Sequence, residues 1–261
     1  MQAFEYQTPT TLAAAAHAAA QEDARLIAGG QSLLQSMKLG LSAPPLLVDL
    51  GGVAELQGIV VDADSVTIGA GTTHAAVAAS MEVQRAIPAL ADLAGRIGDR
   101  QVRHRGTLGG SLANNDPAAC WPAAVLGLGA TVQTNTRTLS AEEFLMGLFT
   151  TALAEGEIIT AVRFPIPRQA GWQKFRQPAS RFALVGVFVS QGPAGVRVAV
   201  TGAGANGVFR ATELEARLAA DWSAAALAGA TVAADELNSD LHASAEYRAA
   251  LIPVLAARAL G

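Results

Sequence analysis

Blocks of residues with helical spacing and short apolar runs alternate along the chain, and they predict helices and strands in turn. Thr8, followed by Pro9, predicts the start of a first helix, whose alanine-rich pattern extends to about residue 21. The run ARLIAGG then predicts a short strand that leads into two glycines. After them QSLLQSMKLG has helical spacing and a terminal Gly40, which favours the end of a helix there.

The next part of the chain predicts strands at both ends and helices between them. PPLLVDLGG and LQGIVVDADSVTIGAG predict strands, with a tight turn over residues 62–65. Residues 83–97 predict a helix, and residues 99–120 a polar loop. A further helix is expected over residues 117–128, before a strand at ATVQT.

Clustered proline and glycine in FPIPRQAG, residues 164–171, interrupt the pattern and indicate a domain boundary. Beyond it WQKFRQ, FALVGVFVS and VRVAVTGAG predict strands, and three alanine-rich helices follow. A chain of 261 residues exceeds the size at which one core usually stops growing, so two domains are expected. We place them at residues 1–168, with parts of about 1–53 and 54–168, and at residues 169–261.

Composition limits the function classes. The chain is 51% apolar with a mean hydropathy of +0.32, but its apolar stretches are too short for a membrane span, which needs about 20 apolar residues. The start of the chain lacks the pattern of a secretory signal, so a cytoplasmic protein is expected. A net charge of −4 argues against nucleic-acid binding, which requires Lys and Arg to neutralise phosphates.

The chemistry-bearing residues are few. Cys120 is the only cysteine, which excludes an internal disulfide and an iron–sulfur cluster in this chain, and the four histidines show no i,i+4 pair for a metal. No GxSxG elbow or Ser-His-Asp set supports hydrolase chemistry, and no side chain is indispensable as a catalytic acid or base. Redox chemistry here would therefore use an organic cofactor.

Two glycine pairs, in AGGQSL at residues 28–33 and TLGGSL at residues 107–112, share the order small-Gly-Gly-polar. Glycine permits positive φ and lets neighbouring N–H groups turn inward together, which forms a concave site for a pyrophosphate. The alternative is that each pair is only a tight turn. Neither pair belongs to a Walker loop or to a G-x-G-x-x-G motif.

Four arginines, Arg96, Arg100, Arg103 and Arg105, crowd the segment before the second pair. A solvated basic face is the ordinary explanation for such a run. A basic loop beside a diphosphate site, or one that receives an acidic partner, is the interpretation favoured here.

AGGQSL, followed later by QVRHRGTLGGSLANNDPAA, resembles the FAD-binding medium subunit of the molybdenum hydroxylases, the group of carbon monoxide dehydrogenase and xanthine dehydrogenase. The resemblance extends to TPTTLAAAA, PPLLVDLGG, IGAGTT, GEIITAVRFP and KFRQPASRFALVGV, and so covers nearly the whole chain. It implies an α+β fold: a two-part FAD-binding domain of the vanillyl-alcohol-oxidase-like (PCMH) type, followed by a smaller α/β C-terminal domain.

The resemblance also implies which residues hold FAD without a covalent bond. Ile97 and Ile159 match positions that enclose the adenine, and Asn114 falls near the ribityl and isoalloxazine side. Lys174 and Arg176 lie where basic residues approach the flavin edge in some relatives, although a solvated strand end is an equal alternative. The residues that match the two pyrophosphate loops are Ala28, Gly29, Gly30, Gln31, Ser32 and Leu33 in the first, and Thr107, Leu108, Gly109, Gly110 and Ser111 in the second.

Three positions depart from the family pattern. Many relatives carry Asn or Asp where Ser111 stands, and Asp where Cys120 and Arg181 stand, so polar contacts to the cofactor are missing or replaced there. Cys120 is expected to pack beside Trp121. The alternative, a reactive thiol, would need a depressed pKa that nothing nearby in the sequence supplies.

By resemblance, the chain is one oxidoreductase component of a heterotrimer, doubled in the full complex. A large subunit would carry the molybdenum cofactor and a small subunit the [2Fe-2S] clusters, and this chain would pass electrons to NAD+, a quinone or oxygen. Two other interpretations stay open: a self-contained FAD-dependent oxidase or dehydrogenase with its own substrate, and a scaffold that no longer binds FAD.

Overall fold

The computed structural model of the chain describes residues 3–261, and its first unit is a small parallel sheet. The strands pair in the order β1-β3-β2, all parallel, and each crossover contains a helix, as parallel neighbours require. Two short 3₁₀ turns, Leu50–Gly52 and Ala54–Leu56, lead out of the unit. Its elements are β1 (Glu5–Gln7), α1 (Leu12–Ala19), β2 (Ala24–Ile27), α2 (Leu33–Lys38) and β3 (Leu46–Asp49).

The second unit is a five-stranded antiparallel sheet, with a row of short helices inserted between its second and third strands along the chain. The strand order is β4-β5-β10-β6-β7. The elements are β4 (Ile59–Val61), β5 (Ser65–Gly69), α3 (His74–Ala79), α4 (Met81–Ala86), α5 (Pro88–Gly95), α6 (Arg100–Arg105), α7 (Leu108–Asn114), α8 (Trp121–Leu128), β6 (Thr131–Thr134), β7 (Thr138–Ser140), α9 (Ala141–Phe144), the hairpin β8 (Leu145–Gly147) and β9 (Thr150–Thr151), and β10 (Ile159–Pro165).

The C-terminal unit is a four-stranded antiparallel sheet with two helices. Its strands pair in chain order, β11-β12-β13-β14. A 3₁₀ turn, Ala224–Leu227, lies between the two helices. The elements are β11 (Gln169–Arg176), β12 (Ala183–Gly192), β13 (Gly195–Thr201), β14 (Phe209–Arg210), α10 (Thr212–Ala220) and α11 (Ala245–Ala259).

The C-terminal sheet is buried on both faces, and this joins it to the second unit. Trp172, Phe188 and Ala199 belong to the largest core cluster together with α8, whose eight residues are all buried. The opposite face packs against α10 and α11 through valines such as Val187 and Val200. A continuous apolar run is typical of a strand covered on both sides, which explains FALVGVFVS.

The contacts between α8 and this sheet shape the segment before α8. Thr201 Oγ1 donates to the carbonyl oxygens of Pro117 and Ala119 at 2.9 and 2.7 Å, and Ser190 Oγ donates to Gly127 O at 2.6 Å. These bonds satisfy the carbonyls of Pro117 and Ala119 in the segment before α8, and the Gly127 carbonyl that the end of the helix leaves open. The C-terminal sheet therefore fixes the backbone of residues 117–119.

The predicted strands are confirmed in both halves of the chain, including the turn over residues 62–65, where Asp62 N–H donates to Ser65 O at 2.9 Å. The predicted start of the first helix is wrong: α1 begins at Leu12, not at Pro9, and ends at Ala19. Thr11 Oγ1 accepts from Ala14 N–H at 3.2 Å, and the Glu55 carboxylate accepts from Leu12 N–H at 3.1 Å, so the open donors of the first turn are satisfied there.

The helix expected over residues 83–97 is divided by Pro88, which occupies the first turn of α5 after the short α4. The polar loop over residues 99–120 instead contains α6 and α7. Asp99 caps α6 by accepting from Val102 N–H at 2.9 Å, and Thr107 caps α7 by accepting from Gly110 N–H at 3.1 Å. Asp and Thr are both favoured residues at a helix start, so Asp99 and Thr107 were sequence signals for these helices. The polar composition of the segment favoured a loop instead.

Two further helix predictions need correction. The helix expected over residues 117–128 begins at Trp121, because the preceding carbonyls are bonded to the C-terminal sheet. The three helices expected near the C terminus are α10, one 3₁₀ turn and α11, and residues 228–244 contain no helix. Gly229, at φ +67°, ends the middle element.

We predict that Phe188→Ala destabilises the protein by about 3–5 kcal/mol, because this β12 side chain is fully buried against α8 in the shared core and its removal leaves a cavity. Urea unfolding followed by circular dichroism measures the change. Phe182→Ala is the matched control, since Phe182 is 48% exposed. Equal losses for the two variants would contradict the shared core described here.

Candidate functional site

A cavity of about 790 Å³ lies where the three units meet. The first unit contributes the turn after β2, the second contributes α7 and the segment before α8, and the C-terminal unit contributes Lys174 and the loop at residues 180–182. Clefts of this size hold cofactors and other small molecules, and the junction of several units is a common place for them.

The structure brings almost all sequence-predicted site residues to this one cavity. Leu108 is the exception: its side chain is fully buried in the core, and its N–H donates to Thr72 O at 3.1 Å. The predicted residues that line the cavity are Ala28, Gly29, Gly30, Gln31, Ser32, Leu33, Ile97, Thr107, Gly109, Gly110, Ser111, Asn114, Ile159 and Lys174.

The first glycine pair forms a turn whose N–H groups are unpaired. Within residues 3–261, the N–H groups of residues 29–32 donate to no protein acceptor. Gly30 has φ +68°, a conformation that favours glycine. The turn is held by the Gln31 side chain, whose Nε2 donates to Gly29 O at 3.1 Å. Consecutive free N–H groups on a turn that lines a cavity form a site for an anion.

Gly29 is required by a close approach between two parts of the backbone. A Cβ at this position would overlap the Arg105 carbonyl oxygen and lie 2.7 Å from Gly106 Cα. The turn therefore packs directly on the junction of α6 and α7. This contact brings the two glycine pairs to the same cavity.

The second glycine pair is the first turn of α7 and not a loop. Gly109 N–H donates to Ala70 O at 2.8 Å, Gly110 N–H to Thr107 Oγ1 at 3.1 Å, and Ser111 N–H to Thr107 O at 3.1 Å. The expectation of a second nest of free N–H groups is therefore wrong. Glycine is needed here for packing, because a Cβ at Gly109 would lie 2.6 Å from Ala70 Cβ.

The three weaker sequence predictions lie on different walls. Ile97 follows α5 in the segment that Lys174 contacts, and Ile159 begins β10, next to Ile158, which packs with Leu50 and Leu56. Asn114 is the last residue of α7. Its neighbour Asn115 has a structural role: at φ +40° its amide donates to Gly147 O and Thr150 O at 2.8 and 2.9 Å.

Lys174 is a buried cation in the cavity wall. The side chain is 8% exposed, and its Nζ donates to Arg96 O at 3.1 Å and to Cys120 Sγ at 3.3 Å. The alternative of a solvated strand end is therefore wrong for Lys174, although Arg176 is exposed. Burying an ammonium group beside neutral partners is costly, so the site favours a negatively charged ligand.

Cys120 is buried and in contact with Lys174. Burial raises the pKa of its thiol, while the positive charge of Lys174 acts in the opposite direction. The thiol is therefore protonated near neutral pH, and its predicted role in packing beside Trp121 is supported by the shared core cluster. Cys120 Sγ is thus a neutral acceptor for Lys174.

The arginine-rich segment does not supply a basic lining. Arg96 pairs with Asp92 at 3.1 Å, Arg103 donates to the carbonyl oxygens of Ile97 and Gly98, and Arg100 and Arg105 are exposed. None of these four side chains lines the cavity. The interpretation as a basic loop beside the diphosphate is thus not supported. The segment is instead a solvated basic face, in which Arg103 also caps the carbonyls that follow α5.

Two other arginines do reach the cavity. Arg25 lies on β2, and Arg181, at φ +63°, lies in the loop between β11 and β12. That loop is closed by Arg181 N–H donating to Gln177 O and Gln177 N–H donating to Phe182 O, both at 2.8 Å. Arg181 is therefore a lining residue that the loop between β11 and β12 contributes.

Glu157 is a wall residue that the sequence did not indicate. Its carboxylate accepts from Arg137 Nε and Nη2 at 2.9 Å, from Thr134 Oγ1 and Thr136 Oγ1 at 2.6 and 2.8 Å, and from Ala154 N–H at 2.8 Å. Hydrogen bonds from Arg137 above all hold the pKa of this carboxyl at about 2. The network fixes the backbone that leads into Ile158 and Ile159.

His74, Phe149 and Phe182 also line the cavity without having been assigned to it. Only His74 carried a signal, a histidine directly after the IGAGTT strand. The described part of the chain contains no group of three or more His, Cys, Asp or Glu side chains that could hold a metal. Within the same residues, no helix is long and apolar enough to cross a bilayer.

Comparisons with known proteins are consistent with this site. The sequence model of a family described as the FAD binding domain in molybdopterin dehydrogenase matches residues 2–167. The nicotine 6-hydroxylase medium subunit of Paenarthrobacter nicotinovorans is 35% identical over 277 aligned positions, which cover 99% of this chain and 96% of that protein.

Solved structures are similar over the same length. Carbon monoxide dehydrogenase from Hydrogenophaga pseudoflava superposes with a TM-score of 0.88 at 31% identity, covering 99% of this chain and 96% of that chain. Quinoline 2-oxidoreductase from Pseudomonas putida 86 superposes with a TM-score of 0.87, also at 31% identity and the same coverage.

The residues present fit an FAD molecule. The unpaired N–H groups of the first turn suit a pyrophosphate, and the positive φ of Gly30 permits the backbone shape of that turn. Apolar walls, with a buried cation at Lys174, suit a long ligand that has both aromatic and anionic parts.

We predict that Glu157→Gln lowers the free energy of unfolding by about 2 kcal/mol at pH 7. The folded pKa of about 2 lies below the ordinary value of 4.5, so the charged form stabilises the fold above about pH 4.5, and this contribution is lost as the pH falls towards 2. Urea unfolding at several pH values should show that the free energies of unfolding of the wild type and of Glu157→Gln converge below pH 4.5. Glu22→Gln is the control, because Glu22 is exposed. A difference in free energy of unfolding between the wild type and Glu157→Gln that does not decrease at low pH would contradict the role of the network.

Gly30→Ala and Gly40→Ala form a matched pair, because both glycines have positive φ, +68° and +72°, while only Gly30 lines the cavity. Each alanine should cost about 1–2 kcal/mol of stability. Only Gly30→Ala should weaken FAD binding, by about 10-fold or more, because relaxation towards negative φ turns the neighbouring N–H groups away. Fluorescence titration of the apo-protein with FAD measures this, and equal affinities in the two variants would remove the turn from the site.

Proposed function

We propose the function from one premise: the chain belongs to the family of FAD-binding medium subunits of the molybdenum hydroxylases. It is an FAD-binding oxidoreductase subunit of the xanthine dehydrogenase family, and the molybdenum and iron–sulfur centres of such complexes lie in other subunits. The expected fold class, a two-part FAD-binding domain with a C-terminal α/β domain, is confirmed.

Within that family, the role proposed for this chain is electron transfer. It would accept electrons that originate at the molybdenum centre of a large subunit, through the [2Fe-2S] clusters of a small subunit, and deliver them to an external acceptor such as NAD+, a quinone or oxygen. FAD, when bound, supplies the ability to take up electrons singly and release them in pairs.

The observation that carries this proposal is the turn at residues 29–32, which lines the cavity and whose N–H groups have no acceptor in the described chain. Such a turn suits an anionic ligand, and the pyrophosphate of FAD supplies one. The chain's own residues then bind and orient the cofactor, and none of them is needed as a nucleophile, acid or base. We propose the lining residues named above as the binding site.

Lys174 and Glu157 would act in different ways. The Lys174 ammonium group offers a positive charge to an anionic part of the cofactor, and its position is set by Arg96 O and Cys120 Sγ. Glu157 does not offer its charge to the ligand, because Arg137 neutralises it; it holds the wall at Ile158 and Ile159 in place. We therefore propose that Lys174 binds an anionic part of the cofactor and that Glu157 positions the cavity wall.

We propose a heterotrimer with a large molybdenum subunit and a small iron–sulfur subunit. The division at residue 168 is also retained as a proposal: β10 ends at Pro165 and β11 begins at Gln169, so the chain passes from one sheet to the next within residues 166–168. The core cluster that contains α8 and Phe188 crosses this division. The two parts should therefore behave as one folded body.

The isolated chain should bind noncovalent FAD but should not reduce it with an organic substrate, because the residues that hydroxylate the substrate belong to another subunit. We expect no anaerobic bleaching near 450 nm with purines, aldehydes, N-heterocycles or carbon monoxide, whereas the assembled complex should be bleached by one of them. NADH is tested separately, since the reduced form of an acceptor can also reduce the flavin by the reverse reaction.

Two results would contradict the proposal. Rapid bleaching of the isolated chain by one organic compound would favour a self-contained oxidase or dehydrogenase. Release of FMN alone on heating, or no flavin after reconstitution, would contradict FAD as the cofactor. Mass spectrometry of the heat-released supernatant distinguishes FAD from FMN and from the absence of any flavin.

A further inference from the structure

His74 is a buried histidine in the wall of the cavity. It is the first residue of α3, follows the Thr73 cap, and is 5% exposed. Its backbone N–H donates to Gly106 O at 3.0 Å, which ties it to the junction of α6 and α7. The ring lies at the cavity, so its two nitrogens decide what it can offer a ligand.

The tautomer of the ring is set by Trp121. The indole Nε1–H of Trp121 donates to His74 Nδ1 at 3.0 Å, and this bond is buried. An indole nitrogen can only donate, so Nδ1 must be the acceptor and cannot carry a proton. In the neutral ring the proton is therefore on Nε2.

The ring is neutral near physiological pH. Burial lowers the pKa of His74 to about 4, with a smaller contribution in the same direction from the positive charge of Arg103. The bond from Trp121 acts in the same sense, because protonation of Nδ1 would place two donors against each other. His74 therefore offers one N–H of fixed direction over the whole range from about pH 5 upwards.

Nε2 has no hydrogen-bond acceptor within residues 3–261. It is also not among the fully buried side-chain atoms that lack a partner, so it keeps some exposure to the cavity. A Cβ at Gly106 would lie 2.7 Å from Nε2, and a Cβ at Gly29 would lie 2.7 Å from Gly106 Cα. Gly106 thus separates His74 from the turn of unpaired N–H groups. The free donor of His74 and the free donors of the turn belong to the same wall.

We propose that His74 is a cofactor-binding residue whose Nε2–H donates to an oxygen of the bound FAD, with Trp121 as the positioning residue that holds the tautomer. The pyrophosphate and ribityl chain are the parts of FAD that present such oxygens. This assignment rests on the proposed FAD-binding function. The assignment also explains why a mostly buried ring has an unpaired donor, since such a donor destabilises the protein unless a ligand accepts its hydrogen bond.

Two variants separate the two nitrogens of the ring. His74→Asn places an amide oxygen near the Nδ1 position, so Trp121 keeps its acceptor, but the side chain is too short to replace Nε2–H. His74→Gln reaches the Nε2 position with an amide N–H. Thermal melting of both apo-proteins checks that each is folded.

FAD titration should give an affinity about 10- to 100-fold weaker for His74→Asn and within about fivefold of the wild type for His74→Gln. Wild-type affinity in a folded His74→Asn protein would overturn the role of His74 and leave FAD binding intact. Failure of the wild-type chain to bind FAD would instead overturn the proposed function, and this inference with it.

A measurement on the unmodified protein does not depend on the variants folding. Nitrogen NMR of protein with labelled histidine should show His74 protonated at Nε2 only, with a change of the Nε2 resonance when FAD is added. Trp121→Phe should allow proton exchange between the two nitrogens in the apo-protein. A protonated Nδ1, or an Nε2 resonance that FAD leaves unchanged, would contradict the proposal.

Discussion

The backbone contact between Gly29 and the junction of α6 and α7 is the constraint on which the site depends. The first and second units share the small apolar cluster around Leu50 and Ile158, and at Gly29 their main chains also meet without a side chain between them. The same turn lines the cavity, and its N–H groups have no protein acceptor within residues 3–261. The close approach at Gly29 thus lies in the same turn as the anion site.

The remaining walls are held in place by hydrogen bonds within the protein. Thr201 on β13 holds the carbonyls of residues 117–119, and Glu157 with Arg137 holds the segment before β10. Trp121, at the start of α8, supports His74 from the side away from the cavity. Each of these supporting groups is bonded within the protein, so the surfaces they position stay available to a ligand.

The fold and the location of the site could largely be predicted from the sequence, and the details of the walls could not. Strands such as FALVGVFVS were evident because a continuous apolar run and flanking turn residues are local signals. The two glycine pairs indicated the site for the same reason, although the second pair serves packing against Ala70. By contrast, Lys174 with Cys120 and His74 with Trp121 are pairs 54 and 47 residues apart, and no local pattern reveals them.

The burial of α8 has a consequence for how the protein is made. All eight residues of this helix are covered in the finished fold, partly by Phe188 and Ala199 from strands that come much later in the chain. During synthesis the helix leaves the ribosome long before those strands exist, and its apolar surface stays open to unwanted association until β13 has been translated. The nascent N-terminal half is therefore the stage at which a chaperone would be most useful, and a ribosome that stops near residue 168 would release an insoluble product.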